Sequence, residues 1–178
     1  QMAKGKDILV AVDNTFATPA IQRPLELGAD IVLHSMSKYL GGHCDLIAGA
    51  LVVKDENLGE QIWFNQYAGG GQLDPWQSWL VLRGIKTLHL RMERHSVNAM
   101  KVAEYLETVD IVSKVYFPGF DGSPIPNKMT MPGGMVSFAI DADFDVVKQF
   151  VGNLHVFVLA ESLGGVESLV NHPAAMTH

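Results

Sequence analysis

Three apolar runs bounded by polar residues organise the first third of the chain: "DILVAVD" (7–13), "DIVLHS" (30–35) and "DLIAGALVVKD" (45–55). Each is short and almost continuously apolar, the pattern of strands covered on both faces in an α/β sheet. Between the first two, "NTFATPAIQRP" reads as a loop with two prolines. "PLELGA" follows as a short helix that Gly28 closes.

The period then lengthens to that of helices. "NLGEQIWFNQYAGG" is a helix running into the glycine turn at 69–71, and Asp74 stands as N-cap before Pro75 at the first helical position. Apolar residues from Trp76 and Trp79 through Leu82, Leu88 and Met92 to Leu106 keep helical intervals, which places both tryptophans in the core or an interface. Gly84 divides or bends this stretch. Beyond residue 108 the pattern changes again. "IVSKVYFPG" is a strand, "MVSFAID" a half-exposed strand, "DFDVVKQFVGNL" an amphipathic helix and "HVFVLAES" a last strand. The change sets a domain boundary near residue 90.

Composition narrows the function classes. The 178 residues are 48% hydrophobic and 18% charged, the balance of a globular protein with a sizeable core. A net charge of -6 without a basic tract gives no footprint for a nucleic acid or an anionic membrane. No apolar stretch approaches the roughly 18 residues needed to cross a bilayer. Cys44 is the only cysteine, so an intrachain disulfide is excluded and a reducing cytoplasm is the expected compartment. Cys44 itself reads as a small packed residue. His34, His43 and His95 lack metal-ligand spacing, so no metal site is expected. The absence of an initial methionine suggests a piece of a longer chain.

The chemistry gathers in "HSMSKYLGGH" (34–43). A lysine after a strand is ordinarily a solvated charge. Lys38, however, has two hydroxyls beside it, Ser35 and Ser37, spaced so that both can donate to one phosphate. Gly41 and Gly42 would let a ligand or a second chain approach the backbone. Asp13 ends the neighbouring strand, and carboxyl ends of parallel strands are where open α/β sheets hold ligands. A carboxylate and a lysine facing one pocket match pyridoxal phosphate, whose pyridinium needs an acid and whose aldehyde needs an amine. Spacing alone leaves a phosphosugar or nucleotide site open.

Five ordered motifs add to this: "VDNTFATP", "GADIVLHSMSKYLGGHCD", "LRGIKTLHLRM", "GGMVSF" and "LAESLGGVESLVNHPAAMTH". Together they resemble the trans-sulfuration family of Cys/Met-metabolism pyridoxal-phosphate enzymes, nearest to cystathionine γ-synthase and γ-lyase. The resemblance implies an α/β fold of type I, like aspartate aminotransferase. Residues 1–90 would form the C-terminal part of the cofactor domain, and residues 91–178 part of a smaller α+β C-terminal domain. It implies γ-elimination or γ-replacement on sulfur-containing or activated homoserine amino acids, with methionine γ-lyase or O-acylhomoserine sulfhydrylase as the alternative.

Pyridoxal 5'-phosphate would be bound covalently through Lys38. Asp13 would pair with its ring nitrogen, Thr15 would sit close to the ring, and Ser35 and Ser37 would bind its phosphate. Ser162 would line the substrate site. Glu161, before "SLGG", resembles synthases and γ-lyases and would attract the distal ammonium of cystathionine. The resemblance further implies a homotetramer, a dimer of dimers. Relatives are about twice this length and carry further cofactor and substrate contacts outside the motifs quoted. If these residues were the whole polypeptide, the expectation would be an inactive remnant; as part of a longer chain, the enzyme reading stands.

Overall fold

The computed structural model describes residues 3, 5–6, 8–120, 125 and 128–176. A three-stranded sheet opens it: β1 (Ala11–Asp13), β2 (Ile31–Ser35) and β3 (Gly49–Val53), in that order. β1 runs parallel to β2, and β3 antiparallel to it. Asp13, Leu33 and Leu51 therefore share one face in register, and Val12, Val32 and Val52 share the other. The α/β sheet is present, but within this chain its strands are not covered on both faces. Leu33 and Leu51 are exposed, as are Ile8 and Leu9 ahead of β1 and Val52 on the other face. The apolar pattern marked the strands but not what covers them.

The "loop" after β1 contains a helical turn, α1 (Thr18–Ile21), with Pro19 in its first turn. "PLEL" forms a 3-10 turn closed by Gly28 at φ 99°. α2 (Glu56–Gly69) ends on Gly70 in the left-handed region, and α3 (Pro75–Ile85) starts at Asp74, whose carboxylate accepts from the Trp76 and Gln77 N–H groups. The helix is interrupted at Lys86–Thr87, shortly after Gly84, and α4 (Leu88–Leu106) then crosses residue 90 without interruption.

The apolar intervals mark only part of the buried face of these helices. In α4 that face is Leu88, Met92, Ser96, Ala99, Ala103 and Leu106, with several small residues that let neighbours come close. Trp76 and Trp79 stack on each other and stay exposed, and Trp63 stacks on Tyr67 in the same way. One core cluster joins α1 and α4 to the lysine turn through Ile21, Tyr39, Leu40, Leu88 and Met92. A second packs the end of α4 on β4 (Val112–Tyr116) through Val115 and on Phe117 just beyond it.

β4 pairs antiparallel with β5 (Ser137–Ile140), and α5 (Phe144–Gly152) follows. The last predicted strand shrinks to β6 (Val158–Leu159). It pairs in parallel with β7 (Leu169–Val170), ahead of α6 (Pro173–Met176), and neither β7 nor α6 was anticipated. No helix among the described residues is long and apolar enough to cross a membrane.

Candidate functional site

β2 does not carry Lys38 at its end. It hands the chain to a wide turn, Met36–Leu40, closed by the Gly41 N–H on the Met36 carbonyl at 2.8 Å. Lys38, at φ −93° and ψ −130°, breaks the helical run inside that turn. The turn is fixed on both flanks. On one side Ala48 ties it down, since its N–H donates to Ser37 Oγ at 2.9 Å and its carbonyl accepts from the Met36 N–H at 2.8 Å. On the other, Arg91 of α4 donates to the carbonyls of Tyr39 at 2.6 Å and Gly84 at 2.8 Å.

This clamp revises the reading of the glycines. Gly41 and Gly42 do not leave room for a ligand. A Cβ on Gly41 would lie 2.9 Å from Met36 O, and one on Gly42 would meet the Arg91 guanidinium. A Cβ on Gly84 would run into the Gly41 carbonyl and lie 2.8 Å from that of Leu40. All three glycines serve close packing within the chain.

Lys38 faces an open cleft of about 610 Å3. Ser35, Ser37 and Lys38 line it from the β2 side, and Glu161, Ser162 and Glu167 from the loop between β6 and β7. Lys38 Nζ donates to Ser162 Oγ at 2.7 Å, across 124 residues of sequence. Five of the seven predicted site residues thus meet in one cleft. Asp13 and Thr15 lie outside its lining but join it by a relay. The Thr15 N–H donates to Asp13 Oδ1 at 2.9 Å, and the Ser35 N–H donates to Thr15 Oγ1 at 2.8 Å.

Ser162 is held at φ 85°, a left-handed conformation that costs a non-glycine residue about 1–3 kcal/mol. Gly164, two residues on at φ 83°, sits on the lysine turn itself, where a Cβ would lie 2.5 Å from the Tyr39 nitrogen. Gly165 presses on Cys44, whose Sγ donates to Glu167 Oε2 at 3.7 Å. Arg91, Gly164, Gly165, Cys44 and Glu167 were not singled out as site residues from the sequence, although "LRGIKTLHLRM" and "LAESLGGVESLV" contain four of them. Cys44 is exposed on the cleft rather than packed as a small core residue.

Charges near the site have definite biases. The Thr15 hydroxyl and N–H hold the Asp13 carboxyl below its ordinary range, so it stays ionised near neutrality. Burial lowers His34, partly offset by Asp13, and burial with the nearby Arg91 lowers His95. Burial pushes the Tyr39 phenol up to about 12. Both histidines fold neutral, so their contribution to stability is complete above the unfolded value of roughly 6.5. It is lost as pH falls from there through the lower folded values. Urea unfolding should therefore show lower stability at pH 5.5 than at 7.5, and His34→Gln with His95→Gln should flatten the difference. An unchanged slope in the double variant would show that other groups set it.

The donors suit a pyridine bearing an aldehyde and a phosphate. A primary amine, two hydroxyls and an ionised carboxylate are the three kinds of group such a molecule asks for, and the first two share the cleft.

The family model for "Cys/Met metabolism PLP-dependent enzyme" matches residues 1–178. The cystathionine beta-lyase of Lactococcus lactis subsp. cremoris (strain MG1363) is 56% identical over 181 residues, covering 99% of this chain and 47% of that protein. The cystathionine gamma-synthase of Mycobacterium bovis is 48% identical over 182 residues, covering 100% and 47%. A crystal structure of cystathionine gamma-lyase from Lactobacillus plantarum, complexed with L-serine, superposes with a TM-score of 0.94 at 47% identity over 99% of this chain and 47% of that one. The chain spans about half the length of the curated relatives it matches and has the fold of the corresponding half of these pyridoxal-phosphate enzymes.

Proposed function

The chain belongs to the Cys/Met metabolism PLP-dependent enzymes, and from that premise we propose that it carries the lysine side of a pyridoxal-phosphate site acting on sulfur-containing or activated homoserine amino acids. The observation that carries this reading is the Lys38 amine, directed to Ser162 Oγ at 2.7 Å in a cleft it shares with Ser35 and Ser37. Lys38 would hold the cofactor covalently, Ser35 and Ser37 would take its phosphate, Asp13 its ring nitrogen, and Thr15 would lie near the ring. When bound, pyridoxal phosphate supplies an electron sink that makes the Cα and Cβ protons of an amino acid removable.

The chain's residues then bind, orient and move protons. Once free, the Lys38 amine accepts a proton at Nζ when neutral and returns it when charged. Ser162 Oγ, as acceptor, keeps Nζ aimed into the cleft. Asp13 remains an anion, as the partner of a protonated ring nitrogen must. Glu161, exposed beside Ser162, would receive an ammonium at the far end of a long substrate such as cystathionine.

The reaction class is γ-elimination or γ-replacement, of the cystathionine γ-synthase and γ-lyase type. The 56% identical Lactococcus relative, named a β-lyase, favours β-elimination as a second reading. Products separate them. γ-Cleavage of cystathionine with water yields cysteine, 2-oxobutanoate and ammonia, whereas β-cleavage yields homocysteine, pyruvate and ammonia. Holoprotein supplied with cystathionine, with methionine, and with O-succinylhomoserine plus cysteine is expected to release 2-oxobutanoate from the first. Pyruvate in its place would install the β reading. Turnover of methionine alone would overturn the role given to Glu161 and move the assignment to a methionine γ-lyase. No turnover at all would sink the proposal.

The proposal extends to organisation. Residues 1–90 would belong to the cofactor domain and 91–178 to the smaller domain, with α4 crossing between them. The assembly would be a homotetramer in the cytoplasm.

A further inference from the structure

The loop between β6 and β7 is held at its base by the parallel pairs Val158↔Leu169 and Leu159↔Val170. Its tip carries Ser162 to Lys38, in a backbone conformation that a serine does not adopt unless its surroundings impose it. Two side-chain hydrogen bonds link this loop to the lysine turn and the segment after it: Lys38 to Ser162, and Cys44 to Glu167. The second lies five residues beyond the first, on the far side of the two glycines that seat the loop.

Gly165 is wedged between the members of that second pair. A Cβ there would lie 2.5 Å from Cys44 Sγ and 2.7 Å from Glu167 Oε2. The cleft lining brings Lys38, Cys44, Glu161 and Glu167 together, with Asp45 next to Cys44. Burial and then Glu167 push the Cys44 thiol up, with Lys38 opposing.

We propose that Glu167 is a positioning residue: by accepting from the Cys44 thiol it anchors the β6–β7 loop so that Ser162 stays on the Lys38 amine. The loop has a rigid base and a strained tip, and the Cys44–Glu167 contact secures the segment between them. In this proposal Glu167 acts through Ser162 rather than on the reacting atoms. Its functional meaning rests on Lys38 being the cofactor lysine. The contact itself does not.

The test separates contact from charge. In holoprotein, Glu167→Ala and Cys44→Ala are expected to move the pH midpoint of the cofactor's visible band by about half a unit or more, in the direction that Ser162→Ala moves it. Combining Glu167→Ala with Ser162→Ala should add no further shift. Glu167→Gln and Cys44→Ser, which keep an acceptor and a donor, should restore the wild-type midpoint. If Glu167→Gln behaves like Glu167→Ala while Cys44→Ala is silent, Glu167 acts as a bare charge and the proposal fails.

Cofactor-free protein supplies a readout independent of the catalytic reading. Labelling of Cys44 by a thiol reagent should accelerate about threefold to tenfold in Glu167→Ala, because the carboxylate no longer opposes the thiolate. An unchanged rate would mean the contact does not form. Borohydride reduction of holoprotein followed by mass spectrometry shows whether Lys38 carries the cofactor. Accelerated labelling with an unmodified Lys38 would therefore overturn the function while leaving the anchor standing.

Discussion

Lys38→Ala is expected to abolish the visible band of the holoprotein and to lower turnover of its amino-acid substrate by about 10²–10⁴-fold or more. The size follows from two losses at one atom. Among the described residues Nζ is the only primary amine lining the cleft, so the aldehyde of the cofactor loses its attachment and the substrate loses the group that takes and returns its proton. The fold should survive, because Lys38 contributes one side-chain hydrogen bond to Ser162 while the turn is held by Arg91, Ala48 and the Gly41 N–H. Circular dichroism and a thermal melt matching the parent, together with a lost band and lost turnover, meet the expectation. Retained turnover with added cofactor would remove Lys38 from the chemistry.

Gly84→Ala should do the reverse, striking stability first and the site through it. The added methyl has no space, since the carbonyls of Gly41 and Leu40 already occupy it. Neither is the free end of a side chain, so the lysine turn must shift away from α3. Overpacking of this kind costs about 3 kcal/mol, at the upper end for one added carbon because backbone must yield. The same movement pulls Tyr39 and Gly84 off the Arg91 guanidinium, which leaves a half-buried charge with fewer partners. Urea unfolding measures the loss, and a matching weakening of cofactor binding measures how far the turn moves. A variant as stable as the parent would mean that α3 and the turn are less tightly seated than their packing implies.

Local chemistry was legible in the sequence where neighbours in the chain decide it. Asp74 caps α3, Gly28 and Gly70 end their helices in the left-handed region, and β2 delivers Ser35, Ser37 and Lys38 to one place. Features that depend on distant contacts were not legible. No local pattern brings Ser162 to Lys38 across 124 residues, and only the motif resemblance pointed there. The glycines after Lys38 looked like room for a ligand, since a sequence shows a missing side chain but not the guanidinium or carbonyl that fills its place. β6 and β7 are two residues each, too short for alternation to register, although they form the base of the loop that carries Ser162. Apolar spacing also misjudged burial. Trp76 and Leu82 kept the helical interval and face outward, while Ala99 and Ala103 form the packed stripe of α4.

The outward tryptophans also give the molecule a built-in optical probe. All three, Trp63, Trp76 and Trp79, stand on α2 and α3 and are more than half exposed. The emission of this chain should therefore resemble that of wetted indole even when it is fully folded, and change little on denaturation. A move of the emission to shorter wavelength would report one event only: another surface settling over α2 and α3 and excluding water from the stacked pairs.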